Sequence, residues 1–289
     1  MINFLLVLGT QKCGTTWLSN QLQRHPQYQA CGIKEWRCIN KVVPACMKNR
    51  DYKPQISEIS EDYWYQLKLA DKRKFASTHL DNYFSVHKSS ITWGENSDYR
   101  SLGDITGANG LADSDSLAFF NHHARSLGFN IKPLYILRDP VERHYSAVKM
   151  RFNNQYLVSN NSIFNKQQHS ESLIKFTKDS LNEEYFIGRT RYDLIINKLE
   201  KIYGQRNILY CFTEDLEKAK AIDVVTDYLG LKRFDDETMN GYPETIRNQS
   251  PINFSISESM KQHIQDHYSE TYAFVNRFFG DKVPDSWRK

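Results

Sequence analysis

The sequence contains no long apolar run, no internal repeat and no strongly basic segment. No stretch of about 18 apolar residues occurs, so no membrane-spanning helix is predicted. The net charge of +4 is too small to indicate a nucleic-acid partner, which usually requires a clustered basic face. The five cysteines are odd in number, and no two of them form a C-x-x-C pair. Their pattern argues against a zinc site or a disulfide framework and favours reduced thiols.

The chain also lacks a recognisable targeting segment. Residues 1–8 are apolar except for Asn3, but the run is short and has no basic n-region. We interpret it as a buried strand and not as a signal peptide, and we therefore expect a cytoplasmic protein. The 289 residues, 40% hydrophobic and 25% charged, suit a globular chain with one large domain or two small ones. We predict a single domain over residues 1–289.

Apolar runs typical of strands alternate with helical patterns along the chain. Predicted strands cover residues 4–8, 75–79, 91–93, 134–137 and 208–212, and predicted helices cover residues 15–24, 116–127, 140–152, 192–203, 219–229 and 257–279. This alternation predicts an α/β fold of three layers, with a central, mainly parallel sheet flanked by helices. The polar segment 153–172 fits either a mobile loop or lid or a plain surface excursion.

The segment 9–16, Gly-Thr-Gln-Lys-Cys-Gly-Thr-Thr, lies between the first predicted strand and the first predicted helix. Backbone amides of a glycine-containing turn, together with the positive end of a helix, form an anion-binding site. Gly9 and Gly14 have the spacing of the ATP-binding loop G-x-x-x-x-G-K-[ST]. The lysine position of that loop is Thr15, however, and the lysine of this chain is Lys12. The pattern predicts a P-loop-type fold for a different phosphate ester, with a glycine turn and a solvated lysine as the alternative.

A second motif begins at Arg138, which follows the predicted strand 134–137. Ligands of open α/β sheets bind at the carboxyl ends of the strands. Asp139 and Pro140 are typical of a helix N-cap and first helical residue. Ser146 lies seven residues after the cap, about two helical turns, and so returns to the face of the cap. Arg138 and Ser146 can therefore bind one anion together. The alternative interpretation of this sequence is a surface Arg–Asp pair on a capped helix.

The two motifs, K-x-G-T-T at 12–16 and R-D-P with a later serine at 138–146, resemble those of PAPS-dependent sulfotransferases, particularly bacterial and carbohydrate-type members. The resemblance implies that the loop holds the 5′-phosphosulfate of PAPS, through Gln11, Lys12, Cys13, Gly14, Thr15 and Thr16. It also implies that Lys12 touches the oxygen between phosphate and sulfate, and that Arg138 and Ser146 bind the 3′-phosphate. Arg247 would belong to a C-terminal loop that closes over the nucleotide.

The resemblance further implies a catalytic base, because an acceptor hydroxyl or amine must lose its proton as it attacks sulfur. In carbohydrate-type members a Lys-Glu pair follows the phosphate-loop helix, and Lys34-Glu35 matches that pair. Glu35 is therefore the candidate base, with an exposed ion pair to a lysine as the alternative interpretation. His79, His122 and His123 are other candidates. The scheme needs no metal, because Lys12 and the backbone dipoles supply the positive charge.

The expected activity is transfer of a sulfuryl group from PAPS to a small-molecule or saccharide acceptor, with release of PAP. Aromatic residues could line a sugar-stacking cleft or could belong to the core, namely Trp36, Tyr63, Trp64, Tyr65 and Trp93. Two rival functions stay open at this point, an ATP-dependent kinase and a nucleotide-binding module without catalysis. The oligomeric state is not predicted.

Overall fold

A five-stranded parallel sheet forms the centre of the molecule. The computed structural model describes residues 2–94, 98–158, 166–216, 221–234, 252 and 254–288. The strands are β1 (Ile2–Gly9), β2 (Tyr28–Gln29), β3 (Ser101–Ile105), β4 (Phe129–Leu137) and β5 (Leu209–Phe212). Their order across the sheet is β2-β3-β1-β4-β5, and every neighbouring pair is parallel. The predicted parallel α/β sheet is thus confirmed.

Strand β1 is buried on both of its faces. Phe4 and Leu6 pack into the larger apolar cluster, which includes Phe120 from the helical layer on that side. Leu5 and Val7 point to the opposite face and pack into a second cluster. Side chains alternate across a strand, so an uninterrupted apolar run is the expected sequence of a strand covered on both sides. This arrangement confirms the three layers.

Fifteen helices surround the sheet in the described part of the chain. They are α1 (Thr15–Leu22), α2 (Cys38–Lys41), α3 (Val43–Cys46), α4 (Glu61–Gln66), α5 (Leu69–Thr78), α6 (Leu80–Ser89), α7 (Ser114–Ser126), α8 (Pro140–Phe152), α9 (Lys166–Ser180), α10 (Glu184–Ile187), α11 (Tyr192–Tyr203), α12 (Thr213–Leu216), α13 (Ala221–Leu229), α14 (Glu258–His267) and α15 (Ser269–Phe279). None of these described helices is long and apolar enough to cross a bilayer. The predicted helix 192–203 has the bounds of α11, whereas the predicted helix 257–279 is divided at Tyr268 into α14 and α15.

Two of the predicted strands are wrong. Residues 75–78 belong to α5, and residues 91–92 belong to a 3₁₀ turn, Ser90–Thr92. The side of the sheet beyond β1 is formed instead by β2 and β3, whose sequences show little of the hydrophobic periodicity of a strand. In β3, Gly103 packs so closely on β1 that a Cβ atom there would lie 2.2 Å from the carbonyl oxygen of Leu5. The strand therefore needs a residue that β-propensity disfavours.

The polar segment 153–172 is partly helical. A π-helical turn, Asn153–Val158, extends α8, and α9 begins at Lys166. Leu173 of α9 is fully buried, and Phe176 contacts the ring of Phe152 at 5.8 Å between centroids. These apolar contacts hold α9 against α8. The interpretation of the whole segment as a loop is therefore wrong for residues 153–158 and 166–172.

Candidate nucleotide and catalytic site

The loop that follows β1 is held against β4 at the carboxyl edge of the sheet. The amide of Thr10 donates to the carbonyl oxygen of Ile136 at 3.0 Å. A Cβ atom at Gly9 would lie 2.6 Å from the ring of Tyr135, so the chain can leave β1 at this point only with a glycine. The loop ends at Gly14, which has a φ of 85° and is the N-cap of α1.

The start of α1 offers its first amides to a ligand. Gly14 has no side chain that could accept hydrogen bonds from the first turn, in which Thr15 and Thr16 lie. Unpaired N–H groups at a helix N-terminus carry partial positive charge and bind anions. Lys12 adds a full charge two residues earlier and has a φ of 76°. Anion binding by this loop is consistent with these features and stays a prediction.

Arg138 joins the second motif to this loop. Its Nη1 atom donates to the carbonyl oxygen of Lys12 at 2.9 Å, and its Nη2 atom lies 3.5 Å from Glu142 Oε2. Its own carbonyl oxygen accepts a hydrogen bond of 2.7 Å from the hydroxyl of Tyr192. The two motifs, separated by 126 positions, therefore meet at the ends of β1 and β4.

Helix α8 begins as its sequence predicts. The Asp139 side chain accepts from the amide of Glu142 at 3.0 Å and from the hydroxyl of Tyr272 at 2.9 Å. Burial raises the pKa of Asp139, and the hydrogen bonds from Glu142 and Tyr272 oppose that rise. Ser146 is half-buried two turns further along α8, and Lys149 follows it after one more turn. Capping fixes the direction of α8, so these side chains are presented from a rigid element.

The site has an excess of positive charge around Lys12. Burial lowers the pKa of Lys12, and the neighbouring cations Arg138, Lys149 and Lys34 lower it further. Burial also lowers the pKa of Lys149, and Arg138 contributes to that shift. Cations that repel one another in a partly desolvated site are stabilised by a bound anion. The electrostatics therefore favour a polyanionic ligand.

Cys13 contributes only its backbone to this surface. Its side chain is fully buried in the same apolar cluster as Leu5 and Leu18. Burial raises the pKa of the Cys13 thiol to about 12, so the proximity of a helix N-terminus does not produce a reactive thiolate. Its amide donates to the carbonyl oxygen of Thr10 at 3.3 Å.

Glu35 lies next to the phosphate loop, although it is distant from that loop in sequence. Its Oε1 atom accepts from the amide of Gly107 at 3.3 Å. A Cβ atom at Gly107 would lie 3.3 Å from Gln11 Cα, so Gly107 packs directly on the loop. Glu35 also forms ion pairs, with Lys34 Nζ at 3.2 Å and with Arg37 Nε at 3.8 Å. The structure therefore contains both the ion pair of the alternative interpretation and the position beside the loop that a catalytic base would need.

The histidine candidates have other partners. His79 caps α6 and lies 3.0 Å from Asp81. The ring nitrogens of His123 contact the carbonyl oxygens of Phe119 at 2.9 Å and of Tyr52 at 3.2 Å, and His122 packs against His123. These contacts account for His79 and His123 structurally. The position of Arg247 lies outside the described residues.

Most of the aromatic residues considered for a sugar cleft belong to the core. Trp36, Trp64 and Trp93 are each at most 4% exposed, and the rings of Trp36 and Trp64 stack at 6.2 Å. Tyr63 and Tyr65 are about half exposed on α4. The alternative given with the sequence, that such residues form core, is therefore correct for the three tryptophans.

Tyr185 and Arg189 contact the phosphate loop, and the sequence did not reveal them. The Tyr185 hydroxyl donates to Gln11 Oε1 at 3.1 Å, and the Arg189 guanidinium lies 4.0 Å from the centre of the Tyr185 ring. Thr10 Oγ1 donates to the carbonyl oxygen of Arg189 at 3.1 Å. Their segment carries no local motif. Lys149, in contrast, could have been found from its i+3 spacing after Ser146.

The molecule is thus a parallel α/β sheet flanked by helices, with a glycine-containing loop after its central strand and Arg138, from the next strand, against that loop. The sequence-family model of the sulfotransferase domain matches residues 3–277, so the chain belongs to the sulfotransferase family. The protein is therefore a sulfotransferase. No curated protein matches the chain.

The fold is similar to that of solved sulfotransferases. A sulfotransferase from Alicyclobacillus acidocaldarius aligns over 100% of both chains, with a TM-score of 0.58 and 14% identity. The sulfotransferase domain from the curacin biosynthetic pathway aligns over 93% of this chain and 98% of its own, with a TM-score of 0.50 and 12% identity. At these identities the likeness concerns the fold, which agrees with the predicted α/β architecture.

Proposed function

We propose that this protein transfers a sulfuryl group from PAPS to an acceptor hydroxyl or amine and releases PAP. The observation that carries the proposal is the hydrogen bond from Arg138 Nη1 to the carbonyl oxygen of Lys12, at 2.9 Å. It brings the arginine of the second motif to the loop of the first. A ligand with two separate phosphate-type groups suits such a pair of neighbouring anion sites.

The first of these sites would hold the 5′ end of the nucleotide. Amides of the segment 11–16 and the hydroxyls of Thr15 and Thr16 would surround the phosphosulfate at the start of α1. Arg138 and Ser146 would bind the 3′-phosphate, since a guanidinium pairs well with phosphate oxygens. The anion would offset the repulsion between the cations around Lys12.

In the transfer step, the acceptor oxygen or nitrogen forms a bond to sulfur as the bond from sulfur to the bridging phosphate oxygen breaks. Glu35 takes the proton of the acceptor. Lys12 stabilises the negative charge that develops on the leaving phosphate oxygen, and one such preorganised donor contributes about 3 kcal/mol. No step in this scheme uses a metal ion, and metal independence stays a prediction.

Two rival functions make different predictions. An ATP-dependent kinase requires a lysine where this chain has Thr15. A nucleotide-binding module without catalysis would not use Glu35.

Location in the cytoplasm and a saccharide acceptor also stay predictions. The saccharide follows from the resemblance of Lys34-Glu35 to carbohydrate-type members.

Calorimetric titration with PAP, and with ADP and ATP in the presence and absence of Mg²⁺, tests the donor. We expect PAP to bind without metal and more tightly than either ADP or ATP. Preference for ATP with Mg²⁺ would replace the proposal with the kinase.

The substitution Glu35→Gln tests the base in a sulfate-transfer assay with radiolabelled PAPS. We expect the turnover rate to fall by roughly 10² to 10⁴, the usual contribution of a general base, while PAP affinity stays the same. Turnover equal to that of the parent protein would exclude Glu35 as the base. Arg50→Gln, an exposed substitution, is the control.

A further inference from the structure

A group of cations lies around Glu35 and beside the phosphate loop. Lys34 and Arg37 flank Glu35 in sequence and contact its two carboxylate oxygens, at 3.2 Å and 3.8 Å. The Arg37 side chain is 59% exposed, and the contact of 3.8 Å is longer than a hydrogen bond. Most of the donors of its guanidinium group are therefore available to another partner.

The second part of this group comes from the segment between α10 and α11. Arg189 stacks on Tyr185, and its Nη1 atom donates to the carbonyl oxygen of Tyr185 at 2.6 Å. Arg151 of α8 also lies over the Tyr185 ring, at 4.5 Å. Tyr185 is fixed in turn to Gln11 of the phosphate loop. These two guanidinium groups are thus held at a set position relative to the proposed reaction centre.

The charges of this group do not balance. Lys34, Arg37, Arg151 and Arg189 supply four positive charges. Glu35, Glu183 and Glu184 supply three negative charges; Glu183 pairs with Arg151 at 3.1 Å, and Glu184 Oε1 lies against Gly188. Asp104 is fully buried, and burial raises its pKa to about 7, with a smaller contribution from the charge of Glu35.

The guanidinium groups are close enough to perturb one another. Burial lowers the pKa of Arg189, and repulsion from Arg143, Arg151 and Arg37 lowers it further. Within the described chain, the buried Nε atom of Arg189 has no hydrogen-bond partner. The Arg189 side chain as a whole is only half-buried, and a partly desolvated guanidinium beside other cations is stabilised by a bound anion.

We propose that this group of cations binds an oxyanion of the acceptor, a carboxylate or a sulfate, next to the hydroxyl or amine that is sulfated. Guanidinium groups bind such planar or tetrahedral oxyanions through paired hydrogen bonds. The acceptor is thus an acidic molecule, and Arg37 and Arg189 set its position relative to Glu35. This inference rests on the proposed function, because it assigns the acceptor side of the same reaction.

The test compares matched probes that differ in one charge. Protein saturated with PAP is titrated with para-nitrophenyl β-D-glucuronide and with para-nitrophenyl β-D-glucoside, and likewise with para-hydroxybenzoate and para-hydroxybenzyl alcohol. We expect the anionic member of at least one pair to bind roughly tenfold more tightly, as charge-assisted hydrogen bonds contribute more than neutral ones. Equal binding within both pairs would overturn the inference.

Substitutions then locate the site. Arg37→Gln and Arg189→Gln should each remove most of the preference for the anionic probe, measured on protein saturated with PAP. Arg189→Lys keeps the charge and should retain part of the preference, which separates recognition from a folding defect. Arg50→Gln is the matched control and should retain all of it.

The possible failures are distinguishable. If Arg37→Gln or Arg189→Gln weakens PAP binding and leaves the probe preference intact, these arginines serve the donor and the inference is wrong. If the parent protein does not bind PAP, the proposed function itself fails. PAP binding and probe preference are measured separately, so one failure is not mistaken for the other.

Discussion

The substitution Arg138→Ala separates two roles of one side chain. Arg138 holds the phosphate loop through the carbonyl oxygen of Lys12, at 2.9 Å, and it is proposed to bind the 3′-phosphate of the nucleotide. Hydrogen bonds that involve a charged group contribute about 1.5–3 kcal/mol. Loss of the phosphate contact alone should therefore weaken PAP binding by roughly 10- to 150-fold, at about 1.4 kcal/mol for each factor of ten.

The assay compares PAP with adenosine 5′-phosphate, which lacks the 3′-phosphate. Both ligands should bind more weakly to the Arg138→Ala protein if the loop loosens, but only PAP loses the phosphate contact. The dissociation constant of adenosine 5′-phosphate divided by that of PAP should therefore fall by about tenfold or more. Arg233→Ala, which breaks an exposed ion pair with Asp227, should leave the ratio unchanged. Equal weakening of both ligands would show that Arg138 only supports the loop.

Three further substitutions test the fold around the site. Gly9→Ala should lower the free energy of unfolding by about 1–3 kcal/mol and weaken PAP binding, because its Cβ would lie 2.6 Å from the buried Tyr135 ring; urea unfolding measures the first effect and calorimetry the second. Asp104→Asn should flatten the pH dependence of the free energy of unfolding. Burial raises the pKa of Asp104 to about 7, so the folded protein favours its neutral form. In the parent protein, the free energy of unfolding should therefore fall as pH rises from about 4 to about 7, by up to about 1.4 kcal/mol per pH unit. Asp139→Ala should cost about 1 kcal/mol through loss of the α8 cap.

Gly9→Ala has a control variant, and each of the three predictions has a result that would contradict it. Gly280 also has a positive φ, 56°, but a Cβ there would have no other heavy atom within 4 Å, so Gly280→Ala controls for the backbone strain of replacing such a glycine. A Gly9→Ala protein as stable as that control would contradict the close contact with Tyr135. Unfolding curves of Asp104→Asn that depend on pH as strongly as the parent's would show that another group titrates. An unchanged unfolding midpoint for Asp139→Ala would mean that α8 starts without its cap.

Local sequence determined the parts of the site that lie where a strand meets a helix. The apolar run before Gly9, the displaced Lys12 and the Asp139-Pro140 cap each act within a few residues, and these signals predicted β1, α1, α8 and the family. Parallel strands place their carboxyl ends on one edge of the sheet, and the two motifs, each of which follows a strand, meet there in the structure. The assignment of PAPS contacts to individual residues stays a prediction.

Only the tertiary structure decided which distant residues complete the site. Arg189 reaches the loop through Thr10, 179 positions away, and Glu35 reaches it through Gly107. Such contacts depend on how helices pack over the sheet and leave no periodic pattern in the chain. Strand β3 was missed for the same reason, because close packing against β1 selects Gly103 there against strand propensity. Short-range propensities fix where the chain turns and caps, whereas burial against distant elements fixes which side chains meet around Glu35.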